Sequence, residues 1–258
     1  MSADFSGQVV VVTGASGGIG RVLARRYARR GAMVALVARR SDELAITAEN
    51  IAEEGGGASV HVADIREEDS CSRLVADIIA RWGRLDVLIN NAATPGTDEA
   101  VHEASIANWN DVLATNLVAP MVLSREALTQ AMLPAGRGNI QFMSSAAATN
   151  VQPKKAHYAA AKLGLSALSQ TMAMEVGSNG IRVNCLIIGS VAGQLFDTYV
   201  GRRAAAEGVD PGVVRQRLAG MNKLNRLVQP DEVAEVSMWL ASDAASAITG
   251  QDINVTGG

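Results

Sequence analysis

The sequence predicts a single α/β domain built on a doubly wound, Rossmann-type parallel sheet, and three features carry that expectation. Apolar runs of strand length alternate with helical patterns along the 258-residue chain, the order that β-α-β units require. The runs are apolar throughout rather than alternating, as strands are when helices cover both faces of their sheet. A glycine-rich stretch, Thr13-Gly14-Ala15-Ser16-Gly17-Gly18-Ile19-Gly20, follows the first run and opens the first helical pattern. Length and a hydrophobic content of 48% fit one large domain better than two small ones.

The expected elements run in order. Residues 8–13 are a strand and 18–30 a helix. A second strand at 33–38 is followed by a helix over 42–54, for which Ser41 is the N-cap and Asp42 and Glu43 suit the first turn. Strand 59–63 precedes helix 67–82, and strand 86–90 precedes a long helix over 106–133 with Pro120 as a kink. Strand 139–143 leads to a helix of small and apolar residues beginning at Ala156. Strands follow at 181–187 and 252–255. Residues 189–229 interrupt the alternation with two short helical patterns, and an insertion of that kind suits a substrate lid within the 1–258 domain.

Composition excludes several classes. Net charge is −3 with acids and bases mixed, so no nucleic-acid or anionic-membrane surface is expected. Arg25, Arg26, Arg29 and Arg30 read as a solvated helix face. No leader is apparent and no apolar run approaches the roughly 20 residues that span a bilayer. Cys71 and Cys185 are far apart, with no Cys-x-x-Cys pair; Cys185 reads as a buried free thiol. A reducing, cytoplasmic compartment is expected. His61, His102 and His157 show no metal-ligand spacing, so no metal is expected. His157 adjoins Tyr158, and lining a site or packing are both open to it.

Tyr158 and Lys162 lie four apart on the helix that begins at Ala156, hence on one face. A nearby positive charge stabilises phenolate, and a tyrosine tuned toward neutral pH exchanges a proton with a carbonyl or alcohol. The glycine turn supplies a tight bend, close backbone approach and a helix N-terminus, which together suit a pyrophosphate. An acid at the end of the second strand would select NAD through a ribose hydroxyl. This chain has Ala38 there, followed by Arg39 and Arg40, which suit a 2′-phosphate. NADP(H) is therefore the expected cofactor, with NAD(H) possible if Asp42 returns to the ribose.

These motifs together resemble the short-chain dehydrogenase/reductase family, in its single-domain branch, over nearly the whole chain. The resemblance implies that Gly14, Ser16, Gly17, Gly18, Ile19 and Gly20 form the cofactor turn. Asp64 matches the acid that holds adenine, with Ile65 beside it, and Asn91 and Ala92 belong to the Asn-Asn-Ala turn. Asn116, Ser145, Tyr158 and Lys162 match the catalytic tetrad, Ser145 lying thirteen residues before Tyr158 and Ser144 being the lesser candidate. In the implied mechanism Tyr158 protonates the carbonyl oxygen, Ser145 orients it, Lys162 lowers the tyrosine pKa and holds the ribose, and Asn116 supports a proton-relaying water.

Three departures from the family pattern stand out. Ala93 replaces a common glycine. Ile188-Gly189 is not followed by the usual threonine, so Ser190 is a candidate substitute for its carboxamide contact, while Val191 keeps the backbone position. The basic pair that docks an acyl carrier is incomplete, with Asn179 at one position and Arg137 near the other. A free small or medium ketone or alcohol is therefore the expected substrate. Phe196 and Tyr199 are candidate apolar contacts from the insertion, and Arg202, Arg203, Arg215 and Arg217 candidate anion contacts more often solvated. Leu163, Leu165, Leu168, Met172 and Met174 spread around the Tyr158 helix, and the resemblance implies a homotetramer, with a dimer next. The alternatives are an NAD-linked catabolic dehydrogenase, a 3-oxoacyl-thioester reductase and a nucleotide-binding sensor or scaffold.

Overall fold

The computed structural model describes residues 4–258. Seven parallel strands form one sheet: β1 (Val9–Thr13), β2 (Met33–Ala38), β3 (Gly57–Val62), β4 (Val87–Asn90), β5 (Gly138–Ser145), β6 (Ile181–Ile188) and β7 (Asp252–Val255). Their order is β3-β2-β1-β4-β5-β6-β7, so the winding reverses between β1 and β4. Helices α1 (Gly18–Ala28), α2 (Ser41–Glu53) and α3 (Glu68–Trp82) follow the first three strands. After β4 come α4 (Ile106–Leu113), α5 (Ala119–Ala127) and the single turn α6 (Leu133–Ala135), and β5 leads into α7 (Ala156–Val176). Then come α8 (Gln194–Glu207), α9 (Pro211–Ala219) and α10 (Pro230–Ala241).

Side chains of successive strand residues point to opposite faces, and both faces are covered. Val9, Val11, Leu88, Ile140, Phe142 and Val183 pack under α3, α5 and α7. Val10, Val12, Leu36, Ile89, Met143 and Leu186 pack under α1, α2 and α10. This is why the central strands carry apolar residues on both faces, with polar exceptions such as Asn139 and Gln141 buried and hydrogen-bonded. Edge strand β3 differs from the expectation: Val60 and Val62 are exposed there, because a strand at the sheet margin lacks cover on one side.

The expected helix over 106–133 is one path with two π-helical turns, Ala114–Val118 and Leu128–Met132. Each lies just ahead of a proline, Pro120 and Pro134. Proline has no N–H for the i−4 carbonyl, and each π turn lies where that bond is missing. Helix α10 has no counterpart among the expected elements. Its start carries a capping box between Gln229 and Glu232 with Pro230 in the first turn.

The arginines at the end of α1 and just beyond it are not simply solvated. Arg25 and Arg29 pair with Glu54 beyond α2, and Arg26 and Arg30 with Glu235 on α10. The Arg29 and Arg25 guanidiniums hold the Glu54 carboxyl down at about 2. Inside, Tyr27 Oη and Ser237 Oγ lie 3.0 Å apart, and Ser237 Oγ donates to Gln141 Oε1 at 2.6 Å, joining α1, α10 and β5. Cys71 and Cys185 are free and buried, and burial pushes their thiols up to about 11 and about 12. No helix of the described residues is long and apolar enough to cross a membrane.

Within residues 189–229, α8 and α9 pack on each other around Phe196, Val200, Ala204, Val214 and Leu218. A parallel bridge between Val191 and Val228 ties this pair to the body.

Candidate active site

A cavity of about 850 Å³ opens at the C-terminal ends of β1, β2, β4, β5 and β6, where open α/β sheets bind ligands. Its size lies in the upper part of the usual small-molecule range. Thr13 joins two of those ends. Its hydroxyl accepts the N–H groups of Asn91 at 2.9 Å and Ala92 at 3.0 Å. The Asn91 side chain donates back to Thr13 O at 2.8 Å.

The glycine turn divides by role. Gly14 has φ +69°, and a Cβ there would lie 2.9 Å from Asn91 Nδ2. Gly20 does not line the cavity; a Cβ on it would come within 2.3 Å of Gly14 O, so its task is close packing of α1 beneath the turn. Gly17 faces open space, where a Cβ would meet nothing nearer than Arg40 Nη2 at 3.7 Å. The first turn of α1 has neither an acid nor a side-chain cap, so its N–H groups and positive dipole end are free for a phosphate. These residues fit a dinucleotide. Gly14, Ser16, Gly17, Gly18 and Ile19 all line the cavity.

At one end Arg40 Nη2 donates to Ser16 Oγ at 3.2 Å, and Arg39 lines the same wall. Asp42 accepts from Ser41 Oγ at 3.1 Å in the first turn of α2 and lies outside the lining. Asp64 and Ile65 line the wall beyond β3. Arg66 grips Asp64 at 2.6 Å and reaches Asp111 on α4 at 2.8 Å. The Arg66 guanidinium holds the Asp64 carboxyl below its usual range.

At the other end α7 places Tyr158 and Lys162 beside Ser144 and Ser145 of β5. Ser144 is buried and its hydroxyl donates to Lys162 O at 2.8 Å, a bond that pins α7 to the sheet. Ser145, whose Oγ accepts the Ala147 N–H at 3.2 Å, is the serine that acts on the Tyr158 hydroxyl. Burial raises the Tyr158 pKa and Ser145 draws it partly back. The Lys162 Nζ lies 5.7 Å from the centroid of the phenol ring, and burial lowers the lysine itself to about 8.

Asn116 lies on the helical path after β4. It sits in the first π turn, fully buried and outside the cavity lining. Its Oδ1 accepts the Thr94 N–H and its Nδ2 donates to Thr94 O, both at 2.8 Å. That clamp engages both polar atoms of the side chain and braces the segment after β4. Neighbouring Thr115 lines the cavity instead. The expected wall residues Asn91, Ala92, Gly189 and Val191 are all present.

Ser190 is absent from the lining; its carbonyl accepts Val228 N–H at 3.0 Å. Gln194 and Thr198, one turn apart on α8, line the cavity with Phe196. They went unrecognised in sequence because no strand end or glycine marks them. Tyr199 is not in the lining, and Arg203, Arg215 and Arg217 pair with Glu207, Asp197 and Glu207. Arg137 precedes β5 and lies 3.9 Å from Asp86, at the opposite end of the strands from the cavity. His157 is buried, with Nε2 3.4 Å from Pro95 O, so it packs against the segment after β4.

A family model described as enoyl-(acyl carrier protein) reductase matches residues 14–258. A short chain dehydrogenase/reductase of Aspergillus oryzae is 34% identical over 257 residues, covering 99% of this chain and 95% of that protein. The crystal structure of an NAD+-bound xylitol dehydrogenase superposes with a TM-score of 0.93 at 28% identity, covering 99% of this chain and 100% of the other. A variant actinorhodin polyketide ketoreductase with NADPH gives a TM-score of 0.93 at 32% identity, covering 100% and 98%.

Proposed function

The chain belongs to the short-chain dehydrogenase/reductase family and is an NAD(P)-dependent oxidoreductase, and on that premise we propose that it interconverts a ketone or aldehyde and its alcohol with NADP(H), using Tyr158 as general acid and base. The observation that carries this reading is the convergence of Tyr158, Ser145 and Lys162 on the cavity that the glycine turn opens.

The nicotinamide, when bound, supplies the hydride in reduction and takes it up in oxidation. Tyr158 gives its proton to the carbonyl oxygen as negative charge develops there. Ser145, which lines the cavity with Tyr158, donates to that oxygen and holds it in line. Lys162 holds the cofactor ribose, and its charged fraction favours the phenolate after proton loss. Asn116 contributes through its carbonyl: Pro120, four residues on, has no N–H to give it, so that oxygen is an acceptor for a proton-relaying water.

Ser16, Arg39 and Arg40 are the residues that would hold a 2′-phosphate, and the position of Asp42 outside the lining supports that choice over NAD(H). Helices α8 and α9 serve as the substrate lid, since Gln194, Phe196 and Thr198 of α8 face the cavity. Thr198 or Gln194, rather than Ser190, takes the carboxamide contact. A free carbonyl compound is favoured over a carrier-bound one, because Arg137 is remote from the cavity mouth. The exposed Leu163 and Met174 on α7, with Ile106 and Val118 on the neighbouring helical path, offer apolar surface for self-association, and light scattering distinguishes the homotetramer we favour from a dimer. The two buried free thiols suit a reducing cytoplasm.

The test is an NADPH-oxidation screen over aldehydes, cyclic ketones, β-keto esters and acyl thioesters, repeated with Tyr158→Phe. Turnover of an active substrate should fall by at least about 100-fold in the variant, with NADPH binding retained. Near-normal turnover in Tyr158→Phe, or no turnover of any carbonyl by the wild type, contradicts the reading.

A further inference from the structure

Two carboxylates line the cavity, and an arginine holds each: Arg21 holds Glu43 and Arg66 holds Asp64, both at 2.6 Å. Arg39 and Arg40 line the same end, and among the described residues neither forms a salt bridge. That end therefore offers unpaired positive charge to a ligand only while its two acids stay neutralised.

Arg21 is held from several sides in that task. A single nitrogen, Nη2, contacts Glu43 Oε2 at 2.6 Å and Ser16 O at 2.7 Å. Its Nε donates to Thr47 Oγ1 at 3.0 Å. Thr47 is fully buried, and its hydroxyl lies 3.0 Å from Ala15 O in the glycine turn. The Glu43 carboxylate is thus kept beside Ser16, the residue that Arg40 contacts. Released from Arg21, it would compete for Arg40 and repel a phosphate at the same place.

We propose that Arg21 is a specificity-determining residue: by neutralising Glu43 it keeps a free anion from the cleft between Ser16 and Arg40 and so secures preference for a 2′-phosphorylated cofactor. This rests on the NADP(H) reading above. Arg21 acts through Glu43 and need not touch the phosphate itself.

Dissociation constants of NADPH and NADH, read from cofactor fluorescence, test it in wild type, Arg21→Gln, Glu43→Gln and the double variant. Arg21→Gln should lower the NADPH-to-NADH affinity ratio by roughly tenfold, chiefly through NADPH, and adding Glu43→Gln should return the ratio to within about threefold of wild type. Equal loss for both cofactors, or no rescue in the double variant, overturns the proposal and leaves Arg21 as a brace of the turn. If Arg21→Gln does not fold, Glu43→Gln alone decides, because it frees Arg21 and should raise the ratio; an unchanged ratio overturns it. Thermal shifts with 2′,5′-ADP and 5′-AMP isolate the phosphate from the nicotinamide. A wild type that binds NADH more tightly overturns the cofactor reading itself, and the response of the ratio to Arg21→Gln still decides the role of Arg21.

Discussion

Lys162 extends from α7 to the end of β5, where its Nζ donates a 2.7 Å hydrogen bond to the carbonyl oxygen of Met143. One neutral acceptor is little compensation for a fully buried ammonium, and burial lowers its pKa from 10.5 to about 8. The folded state thus binds the Lys162 proton less tightly than the unfolded chain does. Between those two values the unfolded state carries more protons, so this group's contribution to stability rises with pH across that window. Below about 8 the ammonium is charged in both states and its full burial cost applies.

The first prediction follows from that sign. Urea unfolding of the wild type and Lys162→Met, compared from pH 7 to pH 11, should show the wild type gaining about 3 kcal/mol relative to the variant. A difference that stays constant across that range would mean that Lys162 is not desolvated as the structure has it.

Ser145 carries a second. Its side chain is what draws the Tyr158 pKa down against burial. Oxidation of an alcohol needs the phenolate, so Ser145→Ala should move the rising limb of the oxidation pH profile to higher pH and lower kcat. A limb that does not move would separate Ser145 from the titration of Tyr158.

Asn116 makes two bonds to the Thr94 backbone from a fully buried position. Asn116→Ala leaves both Thr94 groups without those partners and should cost roughly 2–4 kcal/mol in denaturant unfolding. Because the segment after β4 is braced by this clamp, KM for the carbonyl substrate should rise while NADPH affinity changes little. Unchanged stability would deny the clamp any energetic weight.

Arg40 touches the glycine turn through Ser16, whereas Arg39 only lines the wall. Arg40→Ala should weaken NADPH binding by roughly tenfold and leave NADH within about twofold. Arg39→Ala should have the same direction and a smaller effect. Equal losses of both cofactors in either variant would assign these arginines to the shared part of the dinucleotide.

Much of the architecture was legible in the residues. Strands such as β1, with Val9 to Val12 in succession, are apolar on both faces because both faces are covered, and that signal survives without knowledge of the neighbours. The end of β5 was harder: the expected strand stops at Met143, yet pairing with Ile187 and Ile188 of β6 keeps Ser144 and Ser145 in the strand. Helix α10 was missed although Gln229, Pro230 and Glu232 mark its start, because the preceding irregular segment obscured the alternation. Thr198 and Gln194 had no motif to announce them, and only the path of the chain after Val191 brings them to the cavity.

By itself the sequence determined the winding of the sheet, the place of the glycine turn at the end of β1, and the spacing that sets Tyr158 and Lys162 on one face of α7. These depend on hydrophobic periodicity and on the conformational freedom of glycine, which are local properties. The tertiary structure alone decided that Glu43 is neutralised by Arg21, that the Asn116 side chain clamps Thr94, and that burial raises the Tyr158 pKa. Burial, ion pairing and hydrogen-bond partnership are set by residues distant in the chain, so they exist only once those residues have packed together.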